Sequence, residues 1–124
     1  MRILVVDDEA QMRKVLRLML EGTGYEVLDA ENGKKALNLQ ETTPVDLIIT
    51  DIIMPEMEGI EFIMKVRKIT PHVKIIAISG DCKVDPDLSL GIAGQLGANR
   101  TLLKPVSKSV LMSVIGELFP ESNC

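Results

Sequence analysis

The sequence predicts an α/β fold, a five-stranded parallel sheet with helices packed on both faces. Two observations carry that prediction. Several short runs are almost wholly apolar instead of alternating, among them Ile3-Leu4-Val5-Val6 and Val73-Lys74-Ile75-Ile76-Ala77-Ile78, and strands of that kind are buried on both faces, as in parallel sheets. Strand-like and helix-like segments also alternate five times along the chain through short links carrying Gly, Asn, Thr or Pro, with neither an internal repeat nor a low-complexity stretch. Alternation of this kind lays successive strands parallel and distributes their helices over the two faces.

Taken in order, residues 3–6 form the first strand, and residues 10–21 the first helix, with Met12, Leu16, Met19 and Leu20 at helical spacing and a stop at Gly22 and Gly24. Methionines in such a stripe fill core volume and are not ligands. The second strand is expected over 25–28, an Asn32-Gly33 turn follows, and the second helix runs over 34–40. Val45-Asp46-Leu47-Ile48-Ile49-Thr50 is the third strand, and residues 60–69 make the third helix with Phe62, Ile63 and Val66 available to pack. The fourth strand occupies 73–78. A fourth helix over 87–96 contains Gly91 and Gly94, each costing roughly 1 kcal/mol relative to Ala, so it should be marginal. Thr101-Leu102-Leu103 is the fifth strand, and Ser107 is placed to cap a last helix whose apolar face is Val110, Leu111, Val114, Ile115 and Leu118.

At 124 residues, 46% of them hydrophobic, the chain fills one core; a single domain over 1–120 with a tail over 121–124 is expected. A net charge of −4 and a pI near 5.0 argue against direct nucleic-acid binding. No apolar stretch approaches membrane-spanning length, and Met1 leads straight into the first strand without a signal peptide; the expected location is cytoplasmic, with no membrane partner. Cys82 and Cys124 lack metal or redox spacing and read as free thiols. His72, following Pro71 on a surface turn, reads as solvated.

The chemistry gathers at one edge. The first strand runs into Asp7 and Asp8 and the third into Asp51, and ligands of open parallel sheets sit beyond the carboxyl ends of the strands. Carboxylates so close repel one another unless a cation lies among them. A few carboxylates with open positions for water and a phosphate oxygen suit Mg²⁺, and the spacing lacks the regular ladder and closing Glu of a calcium loop. A plainer reading stays open: Asp7, Asp8 and Glu9 could simply cap the helix that follows. The fourth strand ends at Ser79-Gly80 and the fifth at Lys104-Pro105, adding a hydroxyl and an ammonium. A carboxylate nucleophile, a cation site, a hydroxyl donor and a fixed positive charge are what phosphoryl transfer to an aspartate requires.

With these residues in order the chain resembles the receiver domain of two-component response regulators, from Arg2 to about Phe119. The motifs are Asp7-Asp8, Asp51 followed by Met54-Pro55 and Gly59, Ser79-Gly80, Gly97-Ala98 and Lys104-Pro105. The resemblance implies a flavodoxin-like doubly wound sheet of strand order 2-1-3-4-5. It implies that Asp51 accepts a phosphoryl group from a histidine kinase or phosphotransfer protein, and that the domain relays the signal through a changed partner-binding surface. Its only catalysis would be its own phosphorylation and dephosphorylation. Asp8, Asp51 and the backbone carbonyl of Ile53 would bind Mg²⁺, with Asp7 acting mainly through water. Ser79 would donate to a phosphoryl oxygen, Lys104 would pair with the phosphoryl group, and Lys104-Pro105 would be a cis peptide. Arg13, Lys14 and Arg17 on the first helix form either a solvated face or a kinase-docking surface.

Three departures from the family pattern stand out. Thr101 occupies the place of an aromatic residue that turns inward on phosphorylation, and Val106 replaces the aromatic common after Lys-Pro; the chain's aromatics are only Tyr25, Phe62 and Phe119. The stretch from Ser79 to Lys104 is a few residues longer than usual, enlarging the loop over 81–86. The glycine-containing helix over 87–96 is correspondingly expected, with residues 80–86, to carry the response. Among other classes, a haloacid-dehalogenase-type hydrolase needs Asp-x-Asp where this chain has Asp7-Asp8-Glu9, a flavin or dinucleotide carrier needs a Gly-rich phosphate loop, and a non-catalytic receiver-like module is expected to have lost a site residue.

Overall fold

Parallel pairing organises the molecule from its amino-terminal strand outward. In the computed structural model, which describes residues 1–52, 59–79 and 97–120, the elements are β1 (Arg2–Val6), α1 (Ala10–Leu20), β2 (Glu26–Ala30), α2 (Gly33–Thr42), β3 (Leu47–Asp51), α3 (Gly59–Ile69), β4 (Lys74–Ser79), β5 (Arg100–Leu103) and α4 (Lys108–Leu118). The sheet order is β2-β1-β3-β4-β5, and every neighbouring pair is parallel. Both features match the sequence reading. The helix expected over 87–96, the loop over 81–86, both cysteines and the tail over 121–124 lie outside the described residues.

Strand alternation sorts the core into two layers. Leu4, Val6, Ile48, Ile75 and Ala77 face one side, where they meet Ala36 of α2 and Phe62, Ile63 and Val66 of α3. Ile3, Val5, Leu47, Ile49, Ile76 and Ile78 face the other, against Leu16 and Leu20 of α1 and Leu111 and Ile115 of α4. The central strands are thus apolar on both faces because both faces are covered.

Several element ends fall elsewhere than expected. Parallel pairing carries β2 on to Ala30, opposite Val6, and carries β3 and β4 through Asp51 and Ser79, which pair with Ile78 and Leu103. Those two polar residues are therefore the last rungs of the sheet. The Ser107 cap foreseen in sequence forms, its Oγ accepting from Val110 N at 3.2 Å, and Asn32, expected only as part of a turn, caps α2 as well, its Oδ1 accepting from Lys35 N at 2.9 Å. Gly22 and Gly24 have φ of +86° and +87° in the turn that ends α1, a region closed to most side chains. Val110 does not join the apolar face of α4: the buried stripe follows Leu111 and Ile115, one turn apart, and leaves Val110 48% exposed. No helix among the described residues is long and apolar enough to cross a membrane.

Candidate functional site

The carboxyl edge of the sheet brings together the residues singled out there, apart from those outside the described segments. Asp7 follows β1 and is 2% exposed, Asp51 ends β3 at 8%, and Ser79 ends β4 at 2%; Asp8 is exposed. One carboxylate oxygen from each of Asp7, Asp8 and Asp51 lies within 4.8 Å of the others. Lys104, just past β5, reaches between the two buried acids, its Nζ 3.3 Å from Asp51 Oδ2 and 3.4 Å from Asp7 Oδ2. Its backbone is held as well, Lys104 N donating to Ser79 O at 2.9 Å, and the Lys104–Pro105 peptide is cis.

Burial dominates the electrostatics. It pushes the Asp7 carboxyl from its usual 3.8 up to about 6, a rise that Asp51 reinforces and that the Glu9 N–H and Lys104 partly offset. Burial alone would lower the Lys104 ammonium, yet Asp51 and Asp7 outweigh it and hold the group above its ordinary value. Asp7 consequently binds its proton more tightly folded than unfolded, so its contribution to stability is fully present below about pH 3.8 and is lost as pH rises through about 6. In metal-free buffer, wild type should lose about 2 kcal/mol relative to Asp7→Asn between roughly pH 4 and pH 7. Urea unfolding of both chains reads this directly, and parallel pH profiles would contradict it.

The helix-cap reading of the acids fares poorly. Glu9, at the N-cap of α1, makes no side-chain capping bond, and Asp7 Oδ1 accepts instead from Glu9 N at 2.9 Å, outside the first turn.

Two features escaped the sequence reading. Arg13 and Arg17 do not form a freely solvated face: Arg13 Nη1 donates to Asp7 O at 2.7 Å, Arg17 Nη1 donates to Val27 O at 3.2 Å, and both guanidiniums pair with Asp29 of β2. The Asp7 peptide is thereby tied to α1. The second is Arg67 of α3, a half-buried guanidinium on the opposite edge of the sheet.

Comparison with known proteins decides the family. A family model described as the response regulator receiver domain matches residues 3–116. The chain belongs to that family. This receiver domain is 34% identical over 118 residues to the chemotaxis protein CheY of Thermotoga maritima, covering 94% of the chain and 96% of that protein. It is 33% identical over 120 residues to the transcriptional regulatory protein GlrR of Escherichia coli, covering 97% of the chain and 26% of GlrR, and so spans about a quarter of that relative's length. Among solved structures, a response regulator receiver domain protein from Clostridium thermocellum superposes with a TM-score of 0.87 at 30% identity, covering 98% of this chain and 96% of that one.

The receiver assignment and the flavodoxin-like strand order agree with the sequence reading, and the hydrolase and flavin-carrier alternatives fall away. Within this receiver domain Asp7, Asp8, Asp51, Ser79 and Lys104 share one edge, whereas Ile53, Met54, Pro55 and Gly80 lie outside the described residues, as does the stretch over 80–96 expected to carry the response. Thr101 is half-buried on β5 and Val106 is buried, where the family pattern has aromatics. His72 is exposed, in keeping with its reading as solvated.

Proposed function

We propose that this receiver domain takes a phosphoryl group onto Asp51 from the phosphohistidine of a histidine kinase or phosphotransfer protein, working with Mg²⁺ in the cytoplasm as one domain over 1–120 with a short tail over 121–124. A carboxylate oxygen of Asp51 attacks phosphorus, the phosphorus–nitrogen bond of the donor breaks, and its electron pair stays on the imidazole nitrogen. The product is an acyl phosphate, later lost to water. The domain turns over no separate metabolite. Lys104 carries this reading: a single ammonium held between two buried carboxylates at 3.3 and 3.4 Å is placed to follow charge from Asp51 onto a phosphoryl group. Ser79, next to it across β4 and β5, would donate its hydroxyl to a second phosphoryl oxygen.

The donor set fits a hard divalent cation. Three carboxylates face one ammonium, all donors are oxygens, and the exposed Asp8 leaves one side open to solvent and substrate. Asp8, Asp51 and the Ile53 carbonyl would hold Mg²⁺, with Asp7 acting through water; when bound, the ion neutralises charge on the phosphoryl oxygens. Phosphorylation adds charge and acceptor oxygens at the edge, and thereby alters the surface offered to a partner.

Asp8→Asn should weaken Mg²⁺ binding about tenfold or more, and Asp7→Asn less, because a residue acting through water orients the ion without ligating it. Isothermal calorimetry or metal-dependent Tyr25 fluorescence measures both. Equal and negligible effects would return these acids to a structural role.

A further inference from the structure

Arg67 makes contacts unlike those of any other described cation. From the last turn of α3, its Nε and Nη2 donate to Gly97 O at 2.9 and 2.6 Å, Nη2 also donates to Asn99 Oδ1 at 2.7 Å, and Nη1 donates to Pro71 O at 3.0 Å and to Val73 O. The planar fork thus joins the end of α3, the approach to β4 and the approach to β5. Asn99 completes the junction by pairing both ways with Ile75: its N donates to Ile75 O at 2.8 Å and its Oδ1 accepts from Ile75 N at 2.9 Å. Gly97 is shaped to admit the side chain. Its φ is +131°, and a Cβ there would lie 2.9 Å from Arg67 Cγ.

β5 needs such a fixture. It is an edge strand of four residues, paired to β4 alone, and none of the four is fully buried, Leu102 alone among them packing part-exposed against the layer of α1 and α4. Register is set strongly where a strand buries one face and weakly where it does not. Yet β5 must hold register closely, because Lys104 follows directly and its Nζ stands 3.3 Å from Asp51. A slip of two residues, the smallest that keeps side chains on their own faces, would carry it away by about 6–7 Å.

We propose that Arg67, through Gly97 and Asn99, sets the register of β5 and so positions Lys104 at the acidic site on the opposite edge of the sheet. The proposal rests on the role given above to Lys104 and makes Arg67 a positioning residue, since it touches none of the reacting groups. Lys at this place keeps charge but not the fork, and Met keeps neither.

Two amides report the register directly: Asn99 N–H, bonded to Ile75 O at the start of β5, and Lys104 N–H, bonded to Ser79 O at its end. In Arg67→Met and Arg67→Lys, hydrogen exchange should quicken at both amides by at least tenfold beyond the change in a control of equal global stability, such as Ile115→Val. Gly97→Ala, which displaces Arg67 without removing it, should do the same and serves if the Arg67 variants do not fold. Loss of protection at Asn99 with Lys104 unchanged would make the junction merely local and overturn the proposal.

The second readout is the rate of phosphorylation by acetyl phosphate, measured in a cycle with Lys104→Ala. Arg67→Met should slow the reaction about tenfold in the wild-type background and change it less than twofold when Lys104 is already absent. Independent, multiplying losses would overturn the positioning role. A Lys104→Ala chain that reacts at the wild-type rate would overturn the role of Lys104 itself, while the exchange data would still decide whether Arg67 sets the strand.

Discussion

Asp51→Asn should bring phosphoryl incorporation down to background while leaving the fold intact. Asn keeps the shape of the side chain and removes the nucleophile. The bond that Thr50 Oγ1 donates to the Asp51 backbone carbonyl at 2.9 Å does not involve the side chain. The fold should survive, because the neutral replacement gives up the Asp51–Lys104 attraction but also removes the repulsion by which Asp51 raises the Asp7 carboxyl, and Lys104 keeps Asp7 as a partner. Phosphate-affinity gels after incubation with acetyl phosphate and Mg²⁺ measure the effect. Acid-labile phosphate at full stoichiometry in Asp51→Asn would remove Asp51 from the mechanism.

Lys104→Ala should slow phosphorylation by about 10²-fold, the usual scale for removing one group that stabilises developing charge. Its second effect is on protons. Lys104 pulls the Asp7 carboxyl down against burial and the repulsion of Asp51, so its loss should move the Asp7 midpoint above about 6, by the sign rule for like charges left unpaired. A carbon NMR titration of the Asp7 carboxyl, alongside initial rates, separates the two effects. An unchanged midpoint would mean that solvent already screens the pair, in conflict with the burial of Asp7 and the short contacts of Lys104.

The acids and the ammonium were legible in sequence because each stands where an apolar strand runs out, and chain order alone puts parallel strand ends on one edge. The strand order itself came from the family resemblance. What stayed hidden has physical causes. Asp51 and Ser79 belong to the sheet because the ladder continues through polar residues whose backbones still find partners. Arg13 and Asp29 are 16 residues apart, and only the packing of α1 beside β2 brings them together. Arg67 is served almost wholly by carbonyls, which every residue carries and no sequence advertises; its one trace was Gly97, seen as a motif without a reason. Val110 shows the converse, an apolar residue at helical spacing on a flank that the sheet does not cover.

Intact-mass analysis of the wild-type chain with acetyl phosphate, in Mg²⁺ and in chelator, decides whether this acidic edge takes up a phosphoryl group. The geometry predicts one phosphoryl group per chain, gained only with Mg²⁺ and lost again on standing. A mass unchanged under saturating donor and metal would contradict it and make this receiver domain a binding module that does not take up phosphate.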